Sequence, residues 1–306
     1  MPTLIHDGRP FRSRDHVEAG FPGEKDLRRA IAAKRLRSVF KSVYVDGRVP
    51  DTRMLRVEAT ALVTPAHVIV CDCFASWLYG VDTFRPSERH LLTPTLLTPH
   101  GVGRVRADGV RARQAVHLPE SDITEIAGIR VTTPLRTASD LLRGQWRPYA
   151  LAAADGMARA ELVELGELVE YVDELRGLRG APQARELAQL VDPGAESAGE
   201  SWQRLRITDA GFPRPRTRLH VVDEWGRDRY FDMGYRELLI ASEYDGREFH
   251  TTDAAKAHDV GRRGYFEKRY GWRFVIGTRE RIFGEDTAFE RELGALLGIT
   301  PQPRRW

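Results

Sequence analysis

The sequence predicts an α+β multidomain protein, and three observations carry that prediction. Residues 10–46 read as helix, turn, basic helix and hairpin. Short strands alternate with helices through the middle. After the break at Asp192-Pro193-Gly194 a helix, three strands, a helix and a further strand follow in order. The expected domains are therefore 1–50, a winged helix-turn-helix; 51–191, an α/β region; and 195–306, a mixed sheet flanked by helices.

In the first segment Ser13 caps a short helix over Arg14 to Ala19 and Gly20 ends it. Pro22-Gly23 turns the chain. A second helix runs from Glu24 to Ala33, with Leu27, Ala30 and Ile31 on one face and Lys25, Arg28 and Arg29 on the other. The stretch Leu36 to Val45 is rich in β-branched and aromatic residues and stops at Asp46-Gly47. Residues 1–50 hold eleven basic and six acidic residues, a charge of +5 in a chain of net +3, which leaves −2 elsewhere. Positive charge gathered at one end points to a polyanionic partner, so Lys25, Arg28, Arg29, Arg35, Arg37 and Lys41 are the candidate DNA contacts. The competing reading is a solvated helix face.

In the middle, Leu55 to Leu62 suits a helix. Val68 to Cys71 is a buried strand or the lead into a helix carrying Ala75, Trp77 and Leu78. His90 to Thr98, Val110 to His117 and Ile129 to Val131 read as strands. Helices follow at Thr133-Pro134, Arg147 to Arg159, Leu162 to Leu175 and Gln183 to Leu190. Arg136 and Asp140 stand one helical turn apart and read as a structural ion pair. The two cysteines, Cys71 and Cys73, exclude a disulfide framework and lack a second Cys/His pair at zinc spacing; they read as small buried hydrophobes. A composition of 42% hydrophobic and 30% charged residues, with no apolar run long enough to span a bilayer, predicts no membrane partner. The N-terminus has no basic segment followed by an apolar one, so a cytoplasmic location is expected.

The last segment carries the chemistry. The run Leu238 to Asp245 is an apolar strand in which alternation puts Glu243 and Asp245 on one face. Asp232 precedes it across an expected bend at Gly234. Three carboxylates at strand ends repel one another unless a cation lies between them; Mg²⁺ or Mn²⁺, an oxygen-seeking ion, suits that role and can activate water against a phosphodiester. Glu200 and Arg204 lie one turn apart on the preceding helix, Glu200 to extend a metal site and Arg204 to balance it or hold a phosphate. His250 follows the acidic pair and is a candidate proton carrier. The next helix offers His258, Asp259, Arg262, Arg263, Lys268 and Arg269 to a nucleic-acid backbone.

Glu196-Ser-Ala-Gly-Glu200-Ser-Trp-Gln-Arg204, Gly211-Phe-Pro, Asp232-Met-Gly-Tyr, Ser242-Glu-Tyr-Asp-Gly-Arg-Glu-Phe-His250, Asp259-x-x-Arg262 and Gly271-Trp272 form one ordered set. It resembles the very-short-patch-repair-like endonuclease modules of the PD-(D/E)XK superfamily over about 110 residues. The resemblance implies a restriction-endonuclease-like mixed sheet. It makes Asp232 the metal-binding aspartate, Glu243 and Asp245 the acidic pair, Glu200 the helix glutamate and His250 a functional histidine. The superfamily often has Lys where this chain has Asp245, which leaves His250, Arg262 or a second metal to support the attacking water. The basic first segment, Phe74-Ala-Ser-Trp77-Leu-Tyr-Gly80 and Gly128-Ile-Arg-Val-Thr-Thr-Pro134-Leu-Arg136-Thr-Ala-Ser-Asp140 resemble the antitoxins of type IV abortive-infection systems. That resemblance implies a DNA-binding autoregulator with a cognate toxin partner.

Two functions are thus expected. One is a DNA-binding protein with a metal-dependent endodeoxyribonuclease domain, in DNA repair or phage defence, using Asp232, Glu243, Asp245, His250 and Glu200, with Arg204 and Arg262 on DNA. The other is a transcriptional regulator or antitoxin whose nuclease fold does not cut. The six tryptophans read as core anchors.

Overall fold

The structure, a computed structural model, describes residues 3–89, 92–101, 103, 105, 110–115, 117–246 and 253–306, with the backbone alone for 253–260. It divides into two compact units, 1–141 and 142–306. The break at Asp192-Pro193-Gly194, expected to separate domains, falls inside the second unit.

The first unit opens with β1 (Phe11–Arg12) and a 3-10 turn, Ser13–Asp15, where the sequence predicts a helix from Arg14. Then come α1 (Glu24–Ala32), β2 (Leu36–Phe40) and β3 (Val43–Asp46). The three strands form an antiparallel sheet in the order β1-β3-β2. One basic helix and a following hairpin are present, whereas the first helix of the expected pair is reduced to turns. Leu27 and Ala30 of α1 pack with Phe11, Ala19, Phe21 and Leu36, which fixes the helix's polar side outward. Asp46 ties the hairpin down: buried, it accepts the Ile5 N–H at 2.9 Å, the Arg48 N–H at 2.9 Å and Arg48 Nη2 at 2.7 Å. Those donors hold its carboxyl far below the usual range.

The rest of this unit is α2 (Arg53–Ala61), β4 (Ile69–Val70), α3 (Asp72–Leu78), β5 (Thr95–Thr98), β6 (Arg111–Gln114), β7 (Ile123–Ile126), β8 (Ile129–Thr132) and α4 (Pro134–Gly144), which crosses the unit boundary. The sheet order is β6-β5-β4-β8-β7. Phe40 of β2 meets Phe74 and Trp77 of α3 edge-on, at 5.3 and 6.5 Å between centroids, so the basic segment shares a core with the α/β region. Arg136 bonds Asp140 at 2.9 Å and Asp122 at 2.7 Å, all three buried. Cys71 and Cys73 are buried thiols, with Sγ of Cys71 on Asp72 Oδ2 and Sγ of Cys73 on the Thr83 carbonyl.

The second unit contains α5 (Arg147–Arg159), α6 (Leu165–Glu174), α7 (Ala181–Ala188), α8 (Ala198–Asp209), β9 (Arg216–Val222), β10 (Asp228–Tyr235), β11 (Ile240–Asp245), α9 (Asp253–Tyr270), β12 (Arg273–Thr278), α10 (Arg279–Phe283) and α11 (Ala288–Leu297). Its sheet runs β12-β11-β10-β9, with β11 and β12 parallel and the other pairs antiparallel. Helix α5 is held to α8 by buried ions, and α7 joins α5 through Glu186. Arg204 Nη2 meets Asp155 at 2.6 Å, and Arg147 bridges Asp209 at 2.6 Å and Glu186 at 2.8 Å. The expected bend at Gly234 is not where β10 turns. Gly234 lies inside β10 opposite Ala241, and a Cβ there would come 2.3 Å from the Ile240 carbonyl oxygen. The chain reverses instead over Arg236–Leu238, with Leu239 in the left-handed region.

Candidate functional site

The acidic residues gather where β10 and β11 part. The two strands pair from Met233↔Ser242 to Tyr235↔Ile240. Asp232 stands one residue beyond, and its Oδ2 accepts the Tyr244 N–H at 2.8 Å. The carboxylate thereby satisfies a backbone donor that strand pairing no longer reaches. Glu243 is 4% exposed. Helix α9 sets two guanidinium groups against it: Arg262 Nη2 on Oε1 at 2.8 Å and Arg263 Nη1 on Oε2 at 3.2 Å. Both carboxylate oxygens are covered.

Glu200 enters from the first turn of α8. Ser197 caps that helix, accepting the Glu200 N–H at 3.2 Å, while Glu200 Oε2 accepts the Glu196 N–H at 2.8 Å. This reciprocal bonding satisfies two free N–H groups of the helix start. Gly199 lets α8 press onto β11, since a Cβ there would fall 2.0 Å from the Tyr244 ring. Burial and the neighbouring charges set the protonation. The Asp232 carboxyl is pushed up to about 7, first by burial and then by Glu200 and Glu243, against the lowering effect of the Tyr244 N–H and Arg262. Burial raises Glu200 as well.

The expected Mg²⁺ or Mn²⁺ does not fit this arrangement. Among the described residues no three His, Cys, Asp or Glu side chains are placed to hold a metal ion. Both oxygens of Glu243 accept from arginine and one oxygen of Glu200 accepts from its own helix start. The two guanidinium groups of Arg262 and Arg263 supply positive charge to Glu243 where a divalent ion would otherwise bring it.

Asp232, Glu243 and Glu200 are thus brought together, joined by Arg262, which faces Glu243 rather than open solvent. Asp245 closes β11 in register with Thr278 of β12. Arg204 does not join them. It is 0% exposed, bonded to Asp155 and to the Leu190 carbonyl, and cannot reach DNA. Arg204 therefore balances Asp155 rather than a metal site or a phosphate. His250 lies outside the described residues, as do the side chains of His258 and Asp259. Sequence reasoning assigned Arg263 to nucleic acid; its adjacency to Arg262 was the available sign that two cations meet Glu243. The partner Asp155 gave no sign, being 49 residues from Arg204. The expectation that the tryptophans anchor a core holds for Trp77, Trp202 and Trp272 and fails for Trp146 and Trp225, which are 44% and 60% exposed.

In the first unit Lys25, Arg28, Arg29, Arg35 and Lys41 are exposed. Arg28 meets Glu24 at 2.9 Å and Arg29 meets Asp26 at 3.5 Å, exposed pairs that contribute about 0.3–0.5 kcal/mol each and yield readily to a phosphate. Arg37 is held by the Val49 carbonyl through Nε at 3.1 Å and Nη2 at 3.0 Å, so it braces the hairpin instead of reaching outward.

Residues 68–190 match the family model for the AbiEi antitoxin C-terminal domain. The chain is also 31% identical over 237 residues to uncharacterized proteins of Mycobacterium tuberculosis strains CDC 1551 / Oshkosh and H37Rv, a match spanning 78% of this chain and 83% of each relative. Among the described residues no helix is long and apolar enough to cross a membrane.

Proposed function

This chain belongs to the family of the two mycobacterial proteins, and from that premise we propose that it is an antitoxin-type transcriptional regulator that binds duplex DNA through its first unit. The match of residues 68–190 to the AbiEi antitoxin domain carries the reading. A cognate toxin is the expected protein partner. The exposed side of α1 presents Lys25, Arg28 and Arg29 to phosphates and the major groove, and the exposed Arg35 and Lys41 flank the two ends of β2. The second unit, in this reading, performs no metal-dependent cleavage, a view supported by Arg262 and Arg263, which neutralise Glu243 from inside.

A gel shift of the full chain on duplex DNA from upstream of its own gene tests this. Binding independent of Mg²⁺ is expected. Arg28→Ala with Arg29→Ala should lower the salt slope by about 2, near 0.9 per lost phosphate contact. A wild-type chain that leaves this DNA unshifted at low salt would end the regulator reading.

The endonuclease is the second reading, favoured by the proximity of Glu200, Asp232 and Glu243 alone. Mg²⁺- or Mn²⁺-dependent nicking of supercoiled plasmid, lost in Asp232→Ala, would restore it; no nicking is expected.

A further inference from the structure

We propose that Lys25 is the side chain of α1 that reads sequence, donating to the O6 and N7 acceptors of a guanine in the major groove, while Arg28 and Arg29 hold the phosphates on either side. This rests on the duplex-DNA reading of the first unit and names its specificity-determining residue. Leu27 and Ala30 are buried and fix the inward direction of α1. At about 100° of turn per residue, Lys25 stands within about 20° of the opposite side. Arg28 falls about 60° to one side of Lys25 and Arg29 about 40° to the other, each one turn further along. Glu24 and Asp26 lie farther round, about 100° to each side. All but the half-buried Asp26 are exposed.

The ion pairs sort these cations. Glu24 draws Arg28 to one flank at 2.9 Å, and Asp26 draws Arg29 to the other at 3.5 Å. Lys25, on the midline between them, has no carboxylate partner among the described residues. A helix seated in the major groove turns its midline to the base edges and its flanks to the two phosphate strands. A guanidinium, with five N–H donors, can bridge an acid to a phosphate, so the flanking acids do not bar that approach. Lys25 also lies in the first turn, where recognition helices meet bases, and Gly23 places no side chain over that helix end. Ala32, exposed on the same line two turns on, is small enough to let the helix sit deep. An ammonium donates and does not accept, and guanine presents two acceptors side by side in the groove, so guanine is the base it selects.

The test is a competition gel shift of the full chain on the duplex from upstream of its own gene and on a scrambled duplex of the same composition. Lys25→Ala should lower the preference for the gene's own duplex by about 10-fold and leave scrambled-duplex affinity within about 2-fold. Arg28→Ala should weaken both duplexes by the same factor. Guanines replaced one at a time by 7-deazaguanine, which lacks the N7 acceptor, should include a position that weakens the wild type and leaves Lys25→Ala unaffected. Equal loss on both duplexes in Lys25→Ala, no such guanine, or a wild type without preference would overturn Lys25 as the reader and leave duplex binding standing. A wild type that binds neither duplex would instead end the reading on which this one rests.

Discussion

Removing Arg262 and Arg263 together leaves Glu243 buried beside Glu200 and Asp232 without either of its arginine partners among the described residues, and the cost can be worked from the contacts. Breaking a fully buried ion pair by deleting one partner costs about 3–5 kcal/mol. Here Glu243 is 5% exposed at its side chain, but Arg262 and Arg263 are 25% and 19% exposed, so water screens each contact in part. The double alanine variant should therefore lose about 2–4 kcal/mol. For a unit of this size that lowers Tm by about 5–12 °C. Glu243→Gln in the same background removes the stranded charge and should return most of the loss, giving a coupling of about 1–3 kcal/mol in a double-mutant cycle. Urea denaturation of the four proteins measures it. A double variant within about 0.5 kcal/mol of wild type would refute the claim that the arginines hold this pocket together.

Asp232 predicts a pH dependence. Its folded pKa near 7 lies above the ordinary carboxyl value of 3.8, so the folded state keeps a proton that the unfolded chain releases. Stability then falls as pH rises from about 4 to about 7 and levels off beyond. About 3 pKa units at 1.36 kcal/mol each set a ceiling near 4 kcal/mol, and the partly wet carboxyl brings this to about 2 kcal/mol. Asp232→Asn should flatten that fall in denaturation curves taken across pH; an unchanged slope would count against it. Asp155→Ala strands Arg204, both at most 1% exposed, and should cost about 3–5 kcal/mol. Pairing Asp155→Leu with Arg204→Met should recover most of it, and if Arg204→Met alone weakened duplex DNA binding without touching stability, Arg204 would be a DNA contact after all.

Local pattern determined much of this protein. The hydrophobic face of α1, the strand ending in Glu243 and Asp245, the Asp223–Gly226 turn and the helix-strand order of the last segment follow from periodicity and turn residues a few positions apart. So does the acidic cluster, because a strand's alternation and its antiparallel neighbour bring nearby residues to one end. The sequence placed the break at Asp192-Pro193-Gly194 because Pro and Gly interrupt helices. It could not show that Arg147 and Arg204 would bind helices on either side of that break into one body. Only the tertiary structure decided the charge state of the acidic pocket. Whether carboxylates receive a metal, a proton or an arginine depends on what a residue 19 positions away delivers, and Arg262 reads the same in sequence whether it faces DNA or Glu243. Burial, which sets both the Asp232 proton and the exposure of Trp225, is a property of the packed chain rather than of any stretch of it.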